Sequence, residues 1–234
     1  MTNSDDLTRL RAEYADRARR LAGSDIYSLF NRAHLFAVQQ RQRDTLSLLR
    51  CHGFYPLEGR RILEVGCGNG GVLLEYLAYG AAPSQLHGTD LLFDRVTEAK
   101  DRLSHLPLTC ADGQNLPYAD DSFDLVLQYT VFTSILNEVV KANLAGEMLR
   151  VIRKPTGKIL WYDYWINPTN PQTRGIRPTE IRQLFPGCAL ELRRITLAPP
   201  LARRLVPFSW ILASLLERLR LLNCHYLVVI CPAH

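Results

Sequence analysis

Apolar residues recur three and four apart over residues 7–22 (Leu7, Leu10, Tyr14, Ala18 and Leu21), a spacing that predicts an amphipathic helix. Gly23 and Ser24 break it. A second helical stretch follows over 27–50 and stops at Cys51, His52 and Gly53, with Pro56 just beyond. From Arg61 the pattern changes character. Short apolar runs at 62–65, 85–89, 108–110, 123–128 and 158–162 read as strands, and helical spacing appears among them at 72–78, 93–103 and 136–152. Strands joined through helices need crossover connections, which are right-handed and give a parallel sheet covered on both faces. The predicted fold is a doubly wound α/β domain with an N-terminal helical extension.

Beyond the fifth strand, Asp163, Asn167, Pro168, Asn170, Pro171, Gly175 and Pro178 give residues 163–178 the composition of a loop. Thr179 caps a short helix over 180–184, and 190–197 reads as another strand. Residues 208–222 read as one amphipathic helix. Phe208, Ile211, Leu212, Leu215, Leu219 and Leu222 form one face, with Ser214, Glu217, Arg218 and Arg220 opposite. Such a stripe ordinarily packs on a core or a second subunit, although with Arg203 and Arg204 nearby it would also suit a membrane surface. Residues 227–230 close the chain as a strand.

With 234 residues and 47% hydrophobic content there is apolar material for one large domain. Residues 1–56 form a helical flank or lid, and 57–234 the main domain with a helical insertion at 199–223. The first six residues lack the cationic and apolar runs of a secretory leader, and no stretch of about 18 uncharged apolar residues is present, so the expected location is the cytoplasm. The six cysteines read as free thiols. Cys224, His225, Cys231 and His234 contain no Cys-x-x-Cys pair and flank the apolar run 227–230, so no metal is expected. The net charge of +5 comes from 24 Arg and 4 Lys against 23 acidic residues. These cations are scattered without interleaved aromatics, which argues against a nucleic-acid partner.

The stretch with most chemistry in it is Ile62-Leu63-Glu64-Val65-Gly66-Cys67-Gly68-Asn69-Gly70-Gly71, a strand turning through glycines into a helix. Without Cβ atoms the backbone can turn tightly and approach a ligand, and the N–H groups opening the helix face it. Gly66, Gly68 and Gly71 satisfy the dinucleotide pattern, and Asp90 follows about 20 residues on, where a ribose-binding carboxylate belongs, which permits NAD. Three features point elsewhere. Glu64 would repel a pyrophosphate but could meet a ligand with a positive centre and an amine. Ala111-Asp112-Gly113 suits an exocyclic amine, and about sixty residues precede the turn. Taken singly, Glu64 could cap a helix, Asp90 end a strand, and Asp112-Gly113 make an ordinary turn.

Taken together, Leu63 to Gly70, then Asp90, then Ala111-Asp112-Gly113, Leu116-Pro117-Tyr118 and Asp121-Ser122-Phe123-Asp124-Leu125-Val126 resemble a class I S-adenosylmethionine-dependent methyltransferase. The resemblance covers residues 60–163. It implies a mostly parallel seven-stranded Rossmann-like sheet whose last strand, near 226–230, inserts antiparallel beside the fifth, and it implies S-adenosylmethionine as cofactor. Gly66, Gly68 and Gly70, with Cys67 between them, would pass the methionine part, and Glu64 would support that loop. Asp90 would take the ribose hydroxyls, Leu91 would pack on adenine, and Asp112 would accept from its amine with Gly113 keeping the approach clear. Gln128 and Tyr129 would face the methyl group and substrate. Two departures stand out: Thr156 where glycine is frequent, and Thr133-Ser134 where many relatives carry histidines, which leaves no histidine base there.

Displacement of a methyl group from a sulfonium needs no acid, so orientation carries most of the catalysis. A base matters for a hydroxyl or protonated amine. The candidates are Asp163 and Tyr164 after the fifth strand and Tyr129 after the fourth, because ligands of open α/β sheets lie over those strand ends. Tyr14, Tyr27, Arg32 and Arg41 in the leading helices could close over the cofactor, or simply pack. The expected function is methylation of a small molecule, foremost at oxygen, then at nitrogen or carbon. A noncatalytic cofactor-binding scaffold, an NAD-linked enzyme and an RNA methyltransferase are the alternatives. The last lacks its usual Asn/Asp-Pro-Pro-Tyr/Phe motif, since Gln128-Tyr129-Thr130-Val131 stands there.

Overall fold

A computed structural model describes residues 3–166 and 172–232, and the side chains of these apart from 3–7 and 18. Asn167, Pro168, Asn170, Pro171 and His234, with the side chains of Leu7 and Ala18, lie outside the described residues. Two helices lead, α1 (Asn3–Leu21) and α2 (Arg32–Cys51). The second starts five residues later than its apolar spacing predicts. Asn31 is the cap: its side-chain oxygen accepts from the backbone N–H groups of Ala33 (3.1 Å) and His34 (3.2 Å), while 25–31 fold into turns.

The order then alternates: β1 (Ile62–Val65), α3 (Gly71–Ala78), β2 (Leu86–Asp90), α4 (Phe93–Arg102), β3 (Leu108–Cys110), β4 (Leu125–Tyr129), α5 (Glu138–Val151) and β5 (Lys158–Tyr164). After these come α6 (Pro178–Leu184), β6 (Ala189–Leu197), α7 (Pro199–Leu205), α8 (Trp210–Arg218) and β7 (Asn223–Cys231). The seven strands lie in the order β3-β2-β1-β4-β5-β7-β6, parallel through β5, with β7 antiparallel to both β5 and β6. Successive residues of the central strands enter opposite cores. Ile62, Leu73, Tyr76 and Leu160 pack on one side, Leu63, Val126, Met148 and Trp161 on the other. The order reverses between β1 and β4, so a crevice opens over their carboxyl ends.

Three expectations need correction. Helix α6 opens at Pro178 behind Arg177, so Thr179 lies in its first turn and is not its cap. Strand β5 runs through Tyr164, so Asp163 and Tyr164 pair with Tyr226 and His225 of β7 and are not in a loop. The segment 208–222 is not one helix. Pro207 follows the last turn of α7, and Ser209 starts α8 by accepting from the Leu212 N–H at 3.1 Å. Helix α8 ends at Arg218, and Arg220 turns the chain with φ +59°. Its orientation is also reversed: Ala213 and Glu217 face inward, whereas Ile211, Leu212, Leu215 and Leu219 are exposed. The inner surface there is set by Ala33, Phe36, Leu197, Ala202 and Val206.

Candidate cofactor and acceptor site

Where β1 ends, the N–H groups of Gly66 and Cys67 both donate to the Thr89 carbonyl, at 2.8 and 2.9 Å, which crimps the glycine turn against the end of β2. Gly66 has φ +75°, and a Cβ there would overlap Val131. Gly68 has φ +54°, and a Cβ would lie 2.5 Å from the Arg95 guanidinium. Gly66 therefore requires glycine on conformational and steric grounds together, and Gly68 on conformational grounds, since the Arg95 guanidinium can move aside. The Gly68 N–H donates to one Asp90 oxygen (2.8 Å), and the Leu92 N–H donates to the other (2.9 Å). Asp90 thus ties the glycine turn to the loop that opens α4.

A cleft of about 1030 Å³ lies over these strand ends. Its lining includes Gly66, Asn69, Asp90, Leu91, Asp112, Gly113 and Gln114 together with Leu10, Tyr14, Tyr27, Val131, Ile135, Val140 and Leu144, and Leu144 stands against Gly113. The volume exceeds the range of about 300–1,000 Å³ usual for a single small ligand. Helix α1 roofs it. Arg9 donates to the Ser134 carbonyl at 2.6 Å, Arg17 donates to the Tyr27 hydroxyl at 2.8 Å, and Arg95 stacks 4.7 Å from the Tyr14 ring centre. A cradle that a Cβ would fill, with carboxylates at Asp90 and Asp112, fits a ligand carrying hydroxyls and an amine.

Gly66, Asp90, Leu91, Asp112 and Gly113 therefore line the cleft, as their assigned roles demand. Glu64, Cys67, Gly68, Gly70 and Gln128 lie beneath its surface. Glu64 is buried on the α3 side, where burial, with Glu75 and Asp90 adding to it, holds its carboxyl well above the usual range. Cys67 turns its sulfur toward Gly88 in the core. Gln128 is fully buried and accepts from the Val131 N–H at 3.1 Å, so it shapes the turn after β4 without reaching a ligand.

The catalytic candidates separate too. Tyr129 lines the cleft, but its hydroxyl lies 3.3 Å from that of buried Tyr76 and its ring lies 5.3 Å under the Arg41 guanidinium. Burial pushes its phenol up to about 12. Tyr164 packs on His225, with ring centres 3.7 Å apart, outside the lining. Asp163 stands outside it as well, 1% exposed. It accepts from the Thr133 hydroxyl (2.6 Å), the Thr133 N–H (3.2 Å) and the Tyr164 N–H (2.9 Å). A carboxyl enclosed this way fastens the turn after β4 and cannot touch an acceptor. Of the leading-helix candidates, Tyr14 and Tyr27 line the cleft, Arg32 donates to the Pro207 carbonyl, and Arg41 is buried against Glu75.

Burial pushes the Asp163 carboxyl up to about 7, against the opposing hydrogen bonds from Thr133 and Tyr164. A proton held more tightly in the folded than in the unfolded chain favours folding below about pH 4, and that contribution is lost as the pH rises through about 7. Asp163→Asn should accordingly flatten part of the fall in unfolding free energy between pH 4 and 7, measured by urea titration. If the variant tracked the parent across that whole window, the assignment of this proton would be wrong.

Sequence reasoning missed Thr130, a β-branched residue at φ +59° on the cleft wall. Its N–H donates to the Tyr162 carbonyl at 2.7 Å, which holds the conformation. It also missed Asn69, Arg95, and Arg11 and Arg17 of α1, all on the lining. No local pattern marks an arginine on a helix as facing a ligand; the full G-x-G-x-x-G run could have suggested Asn69.

Residues 63–160 match a protein-family model described as a methyltransferase domain. The chain is 35% identical over 122 residues to the phthiotriol/phenolphthiotriol dimycocerosates methyltransferase 1 of Mycobacterium ulcerans, covering 49% of this chain and 40% of that protein. It is 37% identical over 98 residues to the fatty-acid O-methyltransferase of Mycolicibacterium smegmatis, covering 38% of this chain and 35% of that protein. The chain thus spans well under half the length of these relatives. Its fold is similar to that of a phosphoethanolamine N-methyltransferase 1 of Haemonchus contortus, solved with phosphoethanolamine and S-adenosylhomocysteine. That likeness has a TM-score of 0.65 at 15% identity and covers 100% of this chain and 50% of that one.

Proposed function

Given that residues 63–160 form a class I S-adenosylmethionine-dependent methyltransferase domain, we propose that this chain transfers a methyl group to a carboxylate oxygen of a small, partly apolar molecule. The bound cofactor supplies a methyl group on a positively charged sulfur, open to in-line displacement. Asp90 accepts from its ribose hydroxyls, Leu91 packs on the adenine, and Asp112 accepts from the adenine amine. The turn at Gly66 lets the methionine part pass close to the backbone, with Gly68, Gly70, Cys67, Glu64 and Gln128 shaping that turn from beneath. Tyr129 stands on the same lining.

The observation that carries the choice of acceptor is the makeup of the lining. Among the described residues lining the cleft there is no histidine, and Asp163 is sealed behind Thr133. A neutral hydroxyl would arrive with no histidine to take its proton, the acidic residues of the lining being Asp90, Asp94, Glu98 and Asp112. A carboxylate needs none, because it is already ionised near neutral pH, and Arg11 and Arg17 supply positive charge on the same wall. Leu10, Ile135 and Val140 suit an alkyl chain. Catalysis would then be positioning, with the lining residues holding the carboxylate against the methyl donor beneath α1. Similarity to a fatty-acid O-methyltransferase supports the same reading.

Incubation with S-adenosylmethionine and saturated fatty acids of graded length should yield methyl esters that mild alkali cleaves back to the acids, followed by mass spectrometry. A product whose added methyl group survives saponification would replace oxygen by carbon as the acceptor atom. We place the protein in the cytoplasm, where exposed thiols such as Cys51 and Cys110 stay reduced.

A further inference from the structure

Helix α8 is mounted with its apolar stripe outward. Phe208 is 90% exposed, Ile211 74% and Leu219 63%, with Leu215, Leu221 and Leu222 also exposed, whereas Glu217 is 6% exposed and turned to the core. Glu217 is held there by Asn223, whose side-chain amide donates to the Glu217 carbonyl (3.0 Å) and carboxylate (3.4 Å). A soluble surface carries single exposed apolar residues; a contiguous set of this size marks a contact. Within the segment the exposed charges have one sign, although Asp44 lies within electrostatic reach of Arg220 and Asp25 is exposed near the 29–30 loop. Between 199 and 222 stand Arg203, Arg204, Arg218 and Arg220, all exposed, and the sole acidic residue is the inward Glu217. By helical spacing Arg218 lies at the border of the stripe, three residues after Leu215 and seven after Ile211.

The patch continues across the neighbouring loop. Arg32 donates to the Pro207 carbonyl at 3.2 Å, and just before it Leu29 and Phe30 are exposed, Phe30 at 97%. Tyr27, at the start of that loop, lines the cleft. Apolar side chains ringed by arginines match the boundary between acyl chains and anionic headgroups, where the stripe inserts and the guanidinium groups stay with the phosphates. A two-fold contact with a second copy would instead bring the same arginines face to face. Among the described residues no helix is long and apolar enough to cross a membrane, so the contact is one of lying on the surface.

We propose that the α7–α8 segment and the 29–30 loop dock this protein on an anionic bilayer. The cleft mouth at Tyr27 then sits beside the membrane, where an acyl-chain acceptor resides; that last step rests on the acceptor proposed above, and the docking does not. The test is co-sedimentation with phosphatidylglycerol–phosphatidylcholine vesicles and with pure phosphatidylcholine vesicles, no methyl donor or acceptor added. Binding is expected to the anionic vesicles, weakening as salt rises. Arg203→Gln, Arg204→Gln and Arg218→Gln should each lower it about fivefold, and the pair Ile211→Asp with Leu215→Asp at least about tenfold. Because these side chains are exposed, circular dichroism should stay unchanged. As a second readout that removes nothing, Phe208→Trp should shift its emission to the blue on anionic vesicles. Equal binding to both vesicle types, no binding to either, or a dimer in ultracentrifugation that Ile211→Asp dissociates would each overturn the proposal. Methyl-ester formation failing while vesicle binding persists would remove the acceptor and leave the docking intact.

Discussion

Asp90→Ala should weaken binding of S-adenosylhomocysteine at least about a hundredfold in calorimetry. Two hydrogen bonds from ribose hydroxyls to a charged group contribute about 1.5–3 kcal/mol each, and about 1.4 kcal/mol corresponds to a factor of ten. The loss should exceed the contact itself, because the same carboxylate receives the N–H groups of Gly68 and Leu92 and so holds the glycine turn in position. Asp90→Asn separates the contributions. It retains one oxygen for a backbone donor and lacks the charge, so its affinity should fall between those of the parent and the alanine variant. Affinity within threefold of the parent for both variants, with unfolding midpoints unchanged, would remove Asp90 from the site.

Arg41→Met should destabilise the fold by about 3–5 kcal/mol, the cost of stripping one partner from a buried ion pair. Arg41 pairs with Glu75, their side chains are 15% and 16% exposed, and the guanidinium lies over the rings of Tyr129 and Tyr162 at 5.3 and 5.6 Å. Burial already raises the Glu75 carboxyl, and Arg41 opposes that rise together with hydrogen bonds from Tyr79 and Gln42. Without Arg41 the carboxyl binds its proton still more tightly in the fold, a contribution present at acid pH and lost as the pH climbs through the folded value. The variant's deficit should therefore be larger at pH 8 than at pH 5 in urea titrations. Adding Glu75→Gln should recover part of it. A deficit below about 1 kcal/mol at pH 8 would show the pair to be solvated, as exposed pairs are.

The alternation of strands and helices from Ile62 to Tyr162 was legible because parallel strands buried on both faces must be apolar throughout, which makes each run stand out against its turns. Asp90 and Asp112 were legible because a ligand over the strand ends fixes their distance from the glycine turn. Asp163 was not, although the information was present. In β5 Trp161 enters the α5 side of the sheet, and side chains two apart share a face, so Asp163 enters the same core. An Asp among aromatics reads as a turn until the pairing of β5 with β7 extends the strand around it. The direction of α8 lay beyond any pattern in the sequence. Periodicity locates the apolar stripe but not the surface beneath the helix, and here that surface accepts Ala213 and a hydrogen-bonded Glu217. Arg11 and Arg17 reach the cleft because α1 folds back over it, a contact between segments far apart in the chain.

That roof has a kinetic meaning. Helix α1 is fastened over the cleft by Arg9 on one side and by the Arg95–Tyr14 stack on the other. On the function proposed above, donor and acceptor would lie under this one cover, so Arg9→Ala is expected to speed the dissociation of both, measured by stopped flow with S-adenosylhomocysteine and with a fatty acid.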